Sequence, residues 1–330
     1  MNVPNNTAQR PPASTAKAPA PTPTLASLVK RGVHKLPLRV LMYGPEKLGK
    51  TTWSSGAPNG VVIGPEDGTG LLDQARIDAK SWPALMTALH ALTIEANEFE
   101  TVIVDTADHV ELLLYAHLKE QYHVNEIEEV GGGYGKWTGV VLAEWNKLLV
   151  ALDKLREQGK GIIILAHAKT AKFKNPDGQD YDRYFLALYE KASGLIRQWC
   201  DVVLFANYET FVSVDKQTKR AKGFGGTDRV VYATRTATFD AGNRINLPEK
   251  FALSWDEFAK HAYPSREDEL ARDAELRAAI DAACEQLADE AINAKVHPVV
   301  KSTKLGDTNR LAEVLNRLQA RLNAKESTNV

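Results

Sequence analysis

Gly44-Pro45-Glu46-Lys47-Leu48-Gly49-Lys50-Thr51 fits the phosphate-loop pattern GxxxxGK[ST] at every fixed position. The apolar run Val40-Leu41-Met42-Tyr43 stands before it, and the helix start Lys50-Thr51-Thr52 follows. The stretch therefore reads as strand, loop, helix. Its spacing has a chemical reason. Gly44 and Gly49 let the backbone turn tightly enough for successive N–H groups, together with the positive end of the helix, to surround a phosphate chain. Within the cradle formed by Gly44, Pro45, Glu46, Lys47, Leu48, Gly49, Lys50, Thr51 and Thr52, Lys50 reaches the β- and γ-phosphates and the Thr51 hydroxyl ligates Mg²⁺. ATP and Mg²⁺ are the expected cofactors, although no base-recognition signature separates ATP from GTP.

A second element supports the first. Thr101-Val102-Ile103-Val104-Asp105-Thr106 is an apolar strand that ends in Asp, the requirement of a Walker B motif, so Asp105 is expected to hold the metal opposite Thr51. Thr106 stands where many AAA+ ATPases carry a catalytic Glu, so a base for the attacking water must come from elsewhere. Gly64-Pro65-Glu66-Asp67-Gly68 supplies the candidate, with Glu66 preferred to Asp67 and a plain acidic turn as the alternative. The strand ending Leu165-Ala166-His167 offers His167 as a γ-phosphate sensor, or as a structural histidine.

Around these motifs the pattern alternates. Strands are expected at Arg39 to Tyr43, Gly60 to Ile63, Thr101 to Val104, Gly161 to Ala166 and Val202 to Ala206, with helices that include Trp82 to Ala96 and Leu142 to Gln158. Strands separated by helices imply a largely parallel sheet covered on both faces, with the phosphate loop at its carboxyl edge. The expected fold is α/β, with a P-loop NTPase core and a C-terminal helical extension.

Composition sets outer bounds. A chain of 330 residues allows one large or two modest domains at about 150 residues each. The formal net charge of -1 argues neither for nor against a nucleic-acid partner. Cys200 and Cys284 are too far apart to suggest a disulfide framework or a metal site, which suits a reducing cytoplasm. No apolar run reaches the roughly 18 residues of a membrane helix, so a cytoplasmic protein without membrane contact is expected.

Three regions follow. Residues 1–25 are rich in Pro, Ala and Thr and are expected to be a disordered tail, solubilising or weakly attracted to nucleic acid, since no acidic residue precedes Glu46. Residues 26–260 form the core. Residues 261–330 form a helical accessory region, with a helix from Ser265 to Lys295, a final helix capped by Asp307, and a frayed end from Lys325.

Two basic stretches carry the nucleic-acid expectation. The presumed loop Ala168 to Leu186 has Lys169, Lys172, Lys174 and Arg183 among Phe173, Tyr181 and Tyr184, and a second stretch has Lys216, Lys219, Arg220 and Lys222 before Phe224. Cations to follow phosphates and rings to stack bases suit single-stranded nucleic acid, and two solvated hairpins are the plain alternative. Gly131-Gly132-Gly133-Tyr134-Gly135-Lys136-Trp137 reads as a mobile loop able to cover the nucleotide or the strand.

Taken together, GPEKLGKT at 44–51, EDG at 66–68, TVIVDTADH at 101–109, GGGYGKW at 131–137, LAH at 165–167, WCDVVLFANYE at 199–209 and DAGNRINLPE at 240–249 resemble phage-encoded ATPases with a RecA-like core, of the Sak kind associated with single-strand annealing and recombination. The resemblance covers about Leu36 to Phe258. It implies ATP hydrolysis, single-stranded DNA, a homo-oligomeric ring or filament, a single-strand binding protein as a further partner, and residence in a host bacterial cytoplasm. Related ATPases often carry a Lys-x-Arg pair near the last motif. Here Gly242-Asn243-Arg244 keeps the arginine, so the resemblance makes Arg244 a finger acting in the neighbouring subunit, with slow turnover or an assembly switch as the consequence of the missing lysine. The separate metal and base positions argue against an AAA+ motor. A P-loop kinase with residues 168–186 as its lid, and a non-enzymatic annealing protein with a structural nucleotide, remain the competing classes.

Overall fold

A computed structural model describes residues 36–65, 70, 72–214, 221–264, 266–303 and 308–328. The expected N-terminal tail, Glu66, Lys216, Lys219, Arg220 and Asp307 lie outside the described residues. Among the described residues the central sheet has ten strands: β1 (Arg39–Gly44), β2 (Gly60–Gly64), β3 (Ala75–Asp78), β4 (Thr101–Val104), β5 (Gly161–Phe173), β6 (Tyr181–Leu186), β7 (Val202–Val214), β8 (Ala221–Tyr232), β9 (Gly242–Asn243) and β10 (Lys250–Ala252). Their order is β10-β8-β7-β1-β5-β4-β2-β3, with β6 paired to β5 and β9 to β7. The stretch from β7 to β3 is parallel throughout, and the antiparallel pairs lie beyond β7 or on the extension of β5. This is the expected α/β architecture, a mostly parallel sheet flanked by helices.

Alternation along each strand divides the core in two. Leu41, Tyr43, Val102, Val104, Ile162, Ile164 and Phe205 face one side. Val40, Met42, Ile103, Ile163, Leu165 and Leu204 face the other. The first face is covered by α2 (Trp82–Ile94), α3 (Ala107–Tyr122), α4 (Trp137–Glu157) and α5 (Glu190–Trp199), whose inner residues include Leu89, Leu114, Trp145 and Ile196. The second is covered by the short α1 (Lys50–Ser54) and α6 (Trp255–Ala262). There Trp53 packs edge-on to Trp255 and Phe258, with centroids 5.1 and 5.2 Å away, and its indole Nε1 donates to the Ser254 carbonyl. The helix that carries Lys50 and Thr51 is thereby anchored at its far end by aromatic packing.

Arg39, at the amino end of β1, and Arg156, near the end of α4, converge on Asp201 just before β7, with Arg39 Nη2 at 3.0 Å and Arg156 Nη2 at 3.0 Å. Burial alone would push the Asp201 carboxyl up, but hydrogen bonds and charge from the two arginines outweigh it and hold it below the usual carboxylate range. A carboxylate depressed in this way contributes its full stability above its unfolded value, near 3.9, and loses it as pH falls through the lower folded value. Asp201→Asn is therefore expected to cost about 3 kcal/mol at pH 7, because it leaves Arg156 without its carboxylate and Arg39 with only the 3.3 Å pair to Asp153. It should also flatten the acid limb of a plot of Tm against pH. A variant that melts with the wild type at pH 7 would remove this bridge from the account of stability.

Several expectations are corrected. The presumed loop after His167 is a β-hairpin: β5 runs seven residues past Ala166 and β6 returns against it in register Ala168↔Leu186 to Phe173↔Tyr181. In the same way β7 runs on past Ala206 to pair with β8. Among the described residues the C-terminal region holds three helices rather than two, α7 (Arg266–Leu287), α8 (Glu290–Ser302) and α9 (Thr308–Thr328). The break comes at Asp289, whose carboxylate accepts from Ala291 N and Ile292 N as an N-cap. The last helix is described from Thr308 through Thr328. Ile280, Cys284, Leu287, Leu311 and Leu318 form its own small core. Both cysteines are buried, and burial pushes both thiols up, as suits packing residues. No helix among the described residues is long and apolar enough to cross a membrane.

Candidate nucleotide site

The register of three parallel strands assembles the site. Gly44, the last residue of β1, lies opposite His167 of β5, and Val104 of β4 lies opposite Ile164 of the same strand. Strand β5 thus stands between the phosphate-loop strand and the Asp105 strand, and sets all three motifs along one carboxyl edge. This is where ligands bind in open parallel sheets.

The glycines are needed for close approach. A methyl group on Gly44 would lie 2.2 Å from the Ala206 carbonyl oxygen of the neighbouring strand, and Gly49 has φ 103°, a left-handed conformation that only glycine adopts freely. Lys50 is almost fully buried, and its Nζ donates to the carbonyls of Gly44 at 3.2 Å and Pro45 at 2.8 Å across the loop. The Thr51 hydroxyl donates to Asp105 Oδ2 at 2.7 Å. The two expected metal ligands, 54 residues apart, are therefore adjacent oxygen donors, one a buried carboxylate. That donor set fits Mg²⁺, which prefers hard oxygen ligands and keeps several waters.

His167 is held by a residue that the sequence reading passed over. Asp108, in the first turn of α3, accepts from His167 N at 2.9 Å through Oδ1 and from His167 Nδ1 at 2.8 Å through Oδ2. Burial would raise the Asp108 carboxyl, but these bonds outweigh it and keep it below the usual range, so it is ionised and can only accept. His167 Nδ1 accordingly carries a proton and donates it to this carboxylate. His109 Nδ1 is 2.8 Å from the Thr106 hydroxyl, and its ring stands edge-on to that of His167 with centroids 5.7 Å apart. Asp108, His109 and His167 also have ligand atoms within 4.8 Å of one another, a grouping that these hydrogen bonds account for. An acidic residue in a first helical turn is a common dipole partner, so nothing local distinguished Asp108. Its contact with His167 is tertiary.

The remaining expected residues are dispersed. Lys169, Lys172 and Lys174 are exposed on the β5–β6 hairpin, and Lys169 Nζ donates to the Leu188 carbonyl at 2.9 Å. Phe173 pairs with Tyr181 at 5.3 Å. Arg183 is not presented to solvent as expected. It is 5% exposed, paired with Asp240 and set over the rings of Phe173 and Phe185, because β6 turns it inward against the segment that follows β8. Lys222 stands opposite Ser213 in β8. The GGGYGKW segment is a turn in which Gly131, Gly132, Gly133, Tyr134 and Gly135 all have positive φ, leaving Tyr134 fully exposed.

Arg244 is far from its own phosphate loop. The preceding strand β9 pairs with Val202 and Val203 at the amino end of β7, level with Val40 of β1, so Gly44 lies about 13 Å further along the strand direction. There Arg244 Nη1 bonds Asp201 Oδ1 at 2.9 Å while its side chain remains 64% exposed.

SPbeta prophage-derived uncharacterized protein YorG of Bacillus subtilis (strain 168) is 26% identical over 138 residues, which cover 40% of this chain and 42% of that protein. The chain thus spans less than half the length of the curated relative it matches. A family model described as "AAA domain" matches residues 36–245, a span that contains the phosphate loop, Asp105, His167 and Arg244. With more than half of its length inside that match, which begins just before the phosphate loop, the chain belongs to this family of AAA domains.

Proposed function

We propose that the protein is a Mg²⁺-dependent ATPase that couples its nucleotide to single-stranded DNA, as a homo-oligomer, in phage recombination or replication. The observation that carries this reading is the continuity of β5. The strand that holds His167 opposite Gly44 runs without a break into the hairpin that exposes Lys169, Lys172 and Lys174. A change at the γ-phosphate is thus one strand away from a cationic surface suited to phosphates. The prophage relative fits a phage setting, and the motif set quoted above favours the Sak kind of ATPase.

In this reading Lys50 holds the phosphate chain, Thr51 and Asp105 hold the metal, Glu66 is the base for water, and His167 senses the γ-phosphate under the hold of Asp108. Arg244 lies at the opposite edge of its own sheet and is exposed, so it serves a neighbouring subunit. Steady-state ATP hydrolysis with and without single-stranded DNA, at low and moderate salt, tests the proposal. Stimulation by the strand that fades as salt rises is expected, since phosphate contacts weaken steeply with salt. Turnover indifferent to DNA at every salt concentration would replace it with a P-loop kinase. Strand binding with no turnover would replace it with an annealing protein that holds a structural nucleotide.

A further inference from the structure

Strand β8 brings one more cation to the phosphate loop. Arg229 stands opposite Tyr208 in the β7–β8 register, and its backbone carbonyl accepts from Leu253 N at 2.9 Å, which pins the strand at this point. Its side chain donates from Nη1 to the carbonyl of Leu48 at 3.1 Å, a contact between residues 181 positions apart. A methyl group built on Gly49 would come within 2.7 Å of the same nitrogen, so the guanidinium lies against the residue that precedes Lys50.

The rest of Arg229 has no acidic partner among the described residues. No ion pair among the described residues engages it, whereas Arg39, Arg156, Arg183, Arg197 and Arg244 all sit on Asp201 or Asp240. An arginine is always charged and offers five donors, of which one backbone carbonyl uses little. Lys50 makes the same kind of contact, with its ammonium on the loop's own carbonyl oxygens. Two cations therefore rest on the backbone of one loop, whose N–H groups form an anion cradle.

We propose that Arg229 is a phosphate-loop arginine supplied by the same chain, which positions the loop through Leu48 and adds its charge to the field that holds the diphosphate of the nucleotide. The proposal rests on the nucleotide-binding reading of the loop. It assigns Arg229 to binding in its own subunit, whereas Arg244, on the opposite edge, is assigned to turnover in a neighbour.

The test is a titration of the full-length protein with a fluorescent ADP analogue and Mg²⁺, for the wild type and for Arg229→Ala, Arg229→Gln and Arg229→Lys. Loss of the charge should weaken binding about ten- to a hundredfold in the Ala and Gln variants, the range for a hydrogen bond to a charged group. Arg229→Lys should recover most of the loss, and the gap between wild type and Gln should narrow at high salt. Melting temperatures should not separate the Gln and Lys variants, because Arg229 lies at the surface. Wild-type affinity in the Gln variant overturns the proposal. So does a loss that Lys does not relieve or that salt does not reduce, since either marks packing alone. If the wild type itself fails to bind the analogue, the nucleotide reading falls first and this proposal with it.

Discussion

Lys50→Ala is expected to reduce ATP turnover by about 10²- to 10³-fold, the cost of removing a group that stabilises charge at a transferring phosphoryl. The reason lies in where the side chain sits. Lys50 is 5% exposed, and its Nζ spans the loop between the Gly44 and Pro45 carbonyls. The fold should survive, because those two bonds join residues already tied by β1 and α1. Melting curves should therefore overlay while turnover and fluorescent nucleotide binding are lost together. Turnover at the wild-type rate would show that the loop is not the nucleotide site, whatever its pattern.

Gly64→Ala should act through the fold instead. A methyl group at Gly64 would lie 1.9 Å from the Asp105 carbonyl oxygen and 2.8 Å from its carbonyl carbon, both backbone atoms of the residue that follows β4. No rotamer relieves such a contact, so β2 must part from β4, or Asp105 must move from its place beside Thr51. The cost is about 3 kcal/mol, at the upper end for overpacking a well-packed core, which corresponds to a fall in Tm of roughly 6 to 12 °C. Weaker metal-dependent nucleotide binding should accompany it. Gly194→Ala in α5 is the matched control: nothing lies within 4 Å of the added methyl, and alanine suits a helix better than glycine, so its Tm should hold or rise. Equal losses in the two variants would sink the steric explanation.

The two substitutions separate what a chemical motif needs from what its neighbours need. Lys50 belongs to a contiguous eight-residue pattern, and its role was legible because the spacing of such a loop follows from the phosphate it surrounds. Gly64 belongs to no complete motif. Its importance comes from the carbonyl of the residue that follows β4, which no local pattern reports.

The same division runs through the whole chain. By itself the sequence determined the phosphate loop, the Asp105 strand, the alternation of strands and helices, and hence a mostly parallel sheet with its site at the carboxyl edge. These depend on short-range spacing: two-residue alternation buries both faces of a strand, and glycines mark where backbone must approach backbone. Strands were underestimated only where they leave the core. Past Ala166 the side chains of Lys169 to Lys172 meet solvent, past Ala206 Asn207 and Glu209 interrupt the apolar run, and pairing continues through backbone hydrogen bonds that carry no sequence signature. Only the tertiary structure decided that β5 lies between β1 and β4, that Asp108 holds His167, that Arg183 turns inward to Asp240, that Arg244 stands at the far edge, and that Arg229 reaches Leu48. Each of these joins residues tens to hundreds of positions apart. A charged side chain takes whichever partner the fold brings within about 3 Å, and that choice is made by strand order and register rather than by its neighbours in the chain.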